Sequence, residues 1–356
     1  MAAYDPFIRG QFPVGVRTVR APDVARSRDF LCEIWYPAAM QHAGQDLDPE
    51  TQDRFIPRPN GTEQKQLAVR DAAVRPGVFP LIIFSHHSGG HRRTSTFLCT
   101  HLSSHGYMVA ALDHSEVIAP ELARRSDEDE EQKKARWQAV IDSRVPDVRF
   151  LLDHLLHSGN LGLEVELDPS RIGIVGHSFG AWTALATPEI DSRVRAVVAL
   201  APGGTSNPRP GILPVKLTFQ WKRDVPALYL VSENDVPLPL DGMYELFERA
   251  PDPKQMVILR RADHLHFIDN VEQEHEAFRT VPMSAEVAQM QKEMRPISEL
   301  CSGEQAHLWV RGLTLAHMDA FLGRRHEAQQ FLHSDVEGEM VKRGVEVILH
   351  HSQARP

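Results

Sequence analysis

The sequence predicts an α/β protein, a mostly parallel central sheet with helices on both faces, on three observations. Short, fully apolar runs at Phe79–Phe84, Ile172–Val175, Val194–Leu200, Pro226–Ser232 and Gln255–Leu259 suit strands covered on both sides. Helical patterns stand between several of them, which is the alternation that builds a parallel sheet. The third is Gly176-His177-Ser178-Phe179-Gly180, which joins a strand to a helix through a turn that needs glycine on either side of the serine.

Bulk properties set the frame. With 356 residues, 42% hydrophobic and 24% charged, the chain is long enough for one large domain spanning 1–356, with insertions at about 41–78, 115–144 and 271–312. A net charge of -9 without Lys/Arg clusters argues against nucleic acid or an anionic membrane as partner. Cys32, Cys99 and Cys301 form no disulfide framework and read as free thiols of a reducing compartment. Met1 to Phe7 lacks the basic start and apolar run of a signal peptide, and no apolar run is long enough to span a bilayer. The expectation is a cytoplasmic protein.

In chain order, Val14, Val16 and Val19 alternate with polar residues, and Phe30–Tyr36 is rich in β-formers, which predicts an opening antiparallel hairpin. Residues 41–78 are polar and read as a surface insertion. After the Phe79–Phe84 strand, Thr94–His105 is helical, with Phe97, Leu98 and Leu102 on one face and Gly106 as its stop. Tyr107–His114 is the next strand. Ser126-Asp127-Glu128-Asp129-Glu130 resembles a capped acidic helix start. Trp137, Val140 and Ile141 give that helix an apolar face, either simply packed or serving as a lid, and Pro146 is expected to break or restart it. Beyond the Gln255–Leu259 strand, residues 271–312 are irregular and partly helical, with Met283, Met290 and Met294 as packing residues. Leu313–Leu332 reads as one closing helix, and Val345–Leu349 as strand-like.

The candidate chemistry centres on Ser178. A G-x-S-x-G turn holds its serine in a strained conformation with the hydroxyl above the sheet, where it can act as a nucleophile. Asp235 stands in the turn after the Pro226–Ser232 strand, with Asp224 and Asp241 in reserve, and His264 follows the Gln255–Leu259 strand, with His266 as competitor. Ser178, Asp235 and His264 thus run in the order Ser…Asp…His. The loop Ser85-His86-His87-Ser88-Gly89-Gly90-His91 sits at a strand's carboxyl end, where an open α/β sheet places its site. It reads as an oxyanion-hole loop, with the backbone N–H of Phe179 as the other donor. The rival reading is a metal site of His86, His87, His91 and His114, for which no known ligand spacing is present. Asp113 and His114 are adjacent on a strand and point to opposite sides, so they form no dyad on one serine. Phe219 and Trp221, in a Pro-rich loop, are candidate pocket walls.

The stretches Phe79-Pro-Leu-Ile-Ile-Phe-Ser-His, Ser104-His-Gly-Tyr-Met-Val-Ala-Ala-Leu-Asp-His, Arg171-Ile-Gly-Ile-Val-Gly-His-Ser-Phe-Gly and Ala262-Asp-His-Leu-His-Phe are similar to the α/β-hydrolases. Within these they resemble platelet-activating-factor acetylhydrolases, dienelactone-hydrolase-like esterases and cutinase-like polyester hydrolases. The resemblance implies an α/β-hydrolase fold with lid-like insertions and Ser178 as nucleophile, His264 as base and Phe179 as an oxyanion donor. Where the family has His-Gly-x, this chain has His86-His87-Ser88, so the second donor falls to the Ser88 N–H, with His87 beside the pocket. Acetylhydrolases of this type take the acid from the loop after the preceding strand, yet no Asp stands between Ser192 and Arg223, which leaves Asp235. The expected activity is serine carboxylesterase on short-chain esters, with amidase or peptidase action and a silent binding protein as alternatives. A serine nucleophile argues against dehalogenase or epoxide-hydrolase chemistry, which needs a carboxylate there. No cofactor or metal is called for, and the expected partner is a small-molecule ester, with the protein a monomer or homodimer.

Overall fold

The structure is a computed structural model that describes residues 4–57, 61–125, 127–157, 162–282 and 284–351. It resolves into two compact units, one of residues 9–174 and 190–193, the other of residues up to Ile8, 175–189 and 194–356.

The N-terminal unit carries the strands β1 (Val14–Asp23), β2 (Arg28–Pro37), β3 (Asp53–Phe55), β4 (Gln64–Gln66), β5 (Val69–Arg70), β6 (Val78–Ser85), β7 (Met108–Leu112) and the start of β8 (Glu166–His177). Its sheet runs β8-β6-β7-β2-β1-β5, and β3 pairs with β4 as a separate ribbon. The predicted hairpin is present, Val14 to Asp23 lying antiparallel to Pro37 to Arg28, while β6 and β7 are parallel. The 41–78 segment is more than a surface insertion. Trp35 Nε1 donates to Gln66 at 2.6 Å, and the buried Glu33 meets Arg70 at 2.8 Å and Arg93 at 2.9 Å. Burial opposes the Glu33 charge, but those guanidiniums outweigh it and hold the carboxyl below its usual range. Such long-range polar anchoring has no local pattern in the sequence.

The helices of this unit are α1 (Thr96–Ser104), α2 (Ser115–Ile118) and α3 (Glu130–Leu156). Asp129 caps α3, accepting from Gln132 N–H at 2.8 Å, while Gln132 returns a bond to the Asp129 N–H. Ser126 and Met283, cited in the sequence analysis, lie outside the described residues. Pro146 does not break the helix as expected: α3 runs through it. An interior proline costs about 3 kcal/mol, and the flanking Arg144, Asp147 and Val148, all fully buried, supply the tertiary anchoring that offsets it.

The C-terminal unit orders its strands β12 (Val347–His350), β11 (Lys254–Leu259), β10 (Ala227–Ser232) and β9 (Val194–Leu200), followed by the last residues of β8. β9, β10 and β11 are parallel, and β12 is antiparallel to β11. Its helices are α4 (Phe179–Ile190), α5 (Leu240–Arg249), α6 (Val271–Thr280), α7 (Ala285–Glu293), α8 (Gly303–Phe321), α9 (His326–Leu332) and α10 (Val336–Val341). The single closing helix expected at Leu313–Leu332 is two. α8 begins at a Ser302/Gln305 capping box, inside the stretch read as irregular, and ends where Gly323 N–H returns to the Met318 carbonyl and Arg324 turns left-handed at φ 52°.

The turn between β8 and α4 brings two stretches of backbone into direct contact. A Cβ on Gly176 would lie 2.1 Å from the Gly180 carbonyl oxygen, so the two glycines pack directly on one another. Gly176→Ala should therefore destabilise the protein by about 1–3 kcal/mol or more, read as a lowered urea midpoint. A midpoint equal to wild type would show that the turn can widen without cost.

Candidate active site

Ser178 sits at the apex of that turn with φ 58°, a left-handed conformation that a side-chain-bearing residue adopts at a cost of order 1–3 kcal/mol. Backbone bonds hold it there: Ser178 N–H donates to Leu200 at 2.8 Å, and its carbonyl accepts from Ala181 and Trp182, each at 3.0 Å. The loops that carry Asp235 and His264 are placed by register. Ser232 pairs with Leu259 at the ends of β10 and β11, and Glu233 N–H to Leu259 (2.9 Å) and Asn234 N–H to Ala262 (2.8 Å) zip the two loops together. Asp235 is three residues past one strand and His264 five past the other, and their side chains meet.

His264 Nδ1 lies 2.7 Å from Asp235 Oδ2, and His264 Nε2 lies 2.9 Å from Ser178 Oγ. The second carboxylate oxygen of Asp235 accepts the Leu238 N–H at 2.7 Å. Burial raises the Asp235 carboxyl, with His264 and the Leu238 N–H opposing. Burial also works against an imidazolium at His264, but the adjacent Asp235 carboxylate outweighs it and Asp263 adds to it, so His264 is held above its ordinary value. With Nδ1–H donating to the carboxylate, Nε2 is the acceptor for the serine hydroxyl proton. Such a chain can deprotonate Ser178 as it attacks an electrophile.

Of the competing residues, Asp224 and Asp241 are exposed and do not meet His264. His266 is turned away: its Nδ1 accepts the Asp263 N–H at 3.0 Å and its Nε2 donates to Cys301 at 3.1 Å. Trp221 donates through Nε1 to the Leu185 carbonyl on α4 at 3.1 Å and packs edge-on against Phe219. Phe179 opens α4 and stacks on Trp182 at 5.4 Å. The sequence reading gave no part to His177, whose Nε2 donates to the His264 carbonyl at 3.0 Å, nor to His275, fully buried with Nδ1 3.0 Å from Asp263 Oδ2. Both were legible only as members of a histidine-rich chain. A cavity of about 310 Å³ borders the loop after Asp235, between Arg209, Leu238 and Glu245. A larger one of about 580 Å³ opens where β10 and β11 begin, far along those strands from His264.

The N-terminal unit contains a second hydrogen-bonded Ser, His and Asp. Ser85 Oγ lies 2.8 Å from His114 Nε2, and His114 Nδ1 lies 3.2 Å from Asp147 Oδ2. All three are sealed from solvent, at 0%, 1% and 0% exposure, so no substrate can reach Ser85. Burial, then the charges of Arg144 and Arg26, keep the His114 ring neutral, well below its ordinary value. Arg144 donates to the His86 carbonyl at 2.7 Å and pairs with Glu116, and the His87 carbonyl accepts from His86 Nδ1 at 2.7 Å and Gly90 N–H at 3.0 Å. Because a trans peptide sets its N–H opposite its C=O, the N–H groups of His87 and Ser88 face away from those donors. His86 spends both ring nitrogens on this network, Nε2 accepting the His114 N–H at 3.2 Å. Among the described residues no three or more His, Cys, Asp or Glu side chains converge as a metal site.

The profile of the family "Platelet-activating factor acetylhydrolase, isoform II" matches residues 59–149. The platelet-activating factor acetylhydrolase of Cavia porcellus is 28% identical over 222 residues, covering 54% of this chain and 48% of that protein. That of Bos taurus is 27% identical over 236 residues, covering 57% and 51%. The chain thus spans about half the length of the curated relatives it matches. Among solved structures, the ferulic acid esterase from Streptomyces cinnamoneus superposes with a TM-score of 0.63 at 23% identity, over 91% of this chain and 94% of that one. The chain therefore has the α/β-hydrolase fold. In sequence it resembles the platelet-activating factor acetylhydrolases.

Arg144→Met should destabilise the N-terminal unit by about 3–5 kcal/mol, because it leaves the Glu116 carboxylate buried without its cation. Urea unfolding measures this, and Arg144→Met with a wild-type midpoint would make the pair energetically idle.

Proposed function

We propose that the protein is a serine carboxylesterase acting on small, short-chain esters, with Ser178 as nucleophile, His264 as general base and Asp235 as the acid that orients it. The observation that supports this most directly is the unbroken chain from Asp235 Oδ2 through both ring nitrogens of His264 to Ser178 Oγ, at 2.7 and 2.9 Å. The relatives, an acetylhydrolase and an esterase, agree with ester hydrolysis. In the first step His264 Nε2 takes the hydroxyl proton as Ser178 Oγ attacks the acyl carbon, and the imidazolium is stabilised by Asp235. The proton passes to the departing alkoxide, leaving an acyl-serine. Water, deprotonated by the same nitrogen, then releases the carboxylic acid. The N–H groups of Phe179 and Ser88 are the oxyanion donors that the resemblance implies, with His87 and Trp221 as pocket residues. The three cysteines, free and buried, support a reducing, cytoplasmic setting. No helix among the described residues is long and apolar enough to cross a membrane.

A p-nitrophenyl ester series from acetate to palmitate tests the reading, with circular dichroism confirming that each variant folds. Activity should peak at short acyl chains, and Ser178→Ala should lower kcat by roughly six orders of magnitude. A folded Ser178→Ala that keeps its activity would sink the assignment, and turnover of anilides alone would make it an amidase. The base works only when neutral, so kcat/KM should fall as pH drops through the His264 pKa, which lies above the ordinary imidazole value of about 6.5. Asp235→Asn should cut kcat by about 10⁴-fold and move that acid limb to lower pH. An unmoved limb would remove Asp235 from the mechanism.

A further inference from the structure

We infer that His177, the residue before the nucleophile, is a positioning residue that sets the separation of His264 from Ser178; this rests on the reading of those two as base and nucleophile. His177 is the last residue of β8, one peptide from Ser178, and its side chain is fully buried. Its Nε2 can only donate to a carbonyl, and it donates to that of His264 at 3.0 Å. The imidazole also packs on the His264 ring, centroids 4.9 Å apart, and on Phe267 at 5.2 Å. One rigid ring therefore spans from the strand end that precedes the nucleophile to the backbone of the base.

The other supports of His264 act at different points. Asp235 grips its Nδ1 and Asp263 caps the turn that follows, accepting Leu265 N–H at 3.0 Å. Neither fixes the height of the His264 main chain above Ser178. The base loop leaves β11 at Leu259 and is held at Arg261 and Ala262 by the Cys301 and Asn234 N–H groups, which leaves His264 two residues past the last of these anchors, where its ring must meet the hydroxyl. His177 supplies the anchor at His264 itself, and the 2.9 Å Ser178 to His264 contact depends on it. A polar side chain at the centre of an otherwise apolar strand end is thereby explained, since a buried imidazole without a partner would cost stability.

The test compares His177→Leu, which keeps bulk without a donor, with His177→Gln, whose side-chain amide can donate near the place of Nε2. On p-nitrophenyl acetate the Leu variant should lose about 10²-fold in kcat with KM changed less than about threefold, the pattern of a misplaced catalytic group. The Gln variant should recover most of the loss. A Leu variant with wild-type kcat, or a Gln variant as slow as Leu, overturns the inference; the latter outcome would assign the ring to packing alone. A second readout needs no turnover: the low-field proton resonance of His264 Nδ1–H against Asp235 should broaden in the Leu variant and persist in Gln. Should Leu fail to fold, Gln is compared with His177→Asn, whose shorter amide cannot reach and should broaden the resonance and slow kcat. An unchanged resonance in Leu or Asn overturns the inference. A wild type inert on every ester overturns the esterase reading instead, and the resonance still decides the role of His177.

Discussion

The contact of Gly176 with Gly180 is the constraint on which the site depends. Two backbones meet where no Cβ fits, and that meeting lets β8 reverse into α4 within a few residues. The reversal forces Ser178 into left-handed backbone, and the strain is held by bonds to Leu200, Ala181 and Trp182 rather than by anything the serine side chain does. The hydroxyl is thus free of structural duty and turned to His264. The strand ends do the rest. Parallel pairing of β10 with β11 brings two loops side by side, and one carries the carboxylate and the other the imidazole.

Nineteen histidines make this chain a lesson in how surroundings assign roles to one side chain. His317 is sealed in, donates to the Pro226 carbonyl and is pushed down to about 4 by burial, and His307 is likewise pushed down to about 4. His86 and His114 stay neutral beside Arg144. His264 keeps some exposure, 12% of its side chain, yet is also largely desolvated, and a carboxylate at 2.7 Å reverses the sign of its shift. His275 donates Nε2 to the Arg295 carbonyl at 2.9 Å and has Nδ1 3.0 Å from Asp263 Oδ2, and beside that carboxylate its shift is upward too. Burial alone lowers an imidazole; an adjacent carboxylate reverses this at His264 but not at His114, where Arg144 and Arg26 act with burial against the charge despite Asp147 at 3.2 Å.

What could be read from the residues divides along the range of the interactions. The hairpin of β1 and β2, the apolar strands and the turn around Ser178 are local patterns, and they appear where periodicity and glycine spacing put them. The meeting of Asp235 with His264 was also foreseeable, because strand context and order are one-dimensional information. The helix break at Gly323 and the persistence of α3 through Pro146 were not. Each depends on what distant residues pack against that segment, as do the Glu33 ion pairs that hold β5 and the bond from His177 to the His264 main chain. A histidine between glycine and serine carries no sequence sign of where its ring will point.

The buried Ser85, His114 and Asp147 carry a wider consequence. A search template built on the spacing of hydroxyl, imidazole and carboxylate would strike both sets among the described residues, and the two hits would look alike in atom-to-atom distance. Only the set at Ser178 keeps some exposure and a left-handed serine; the other is masonry under a loop. Shape recognition of catalytic sites thus misreads this molecule unless it also asks what a substrate can touch.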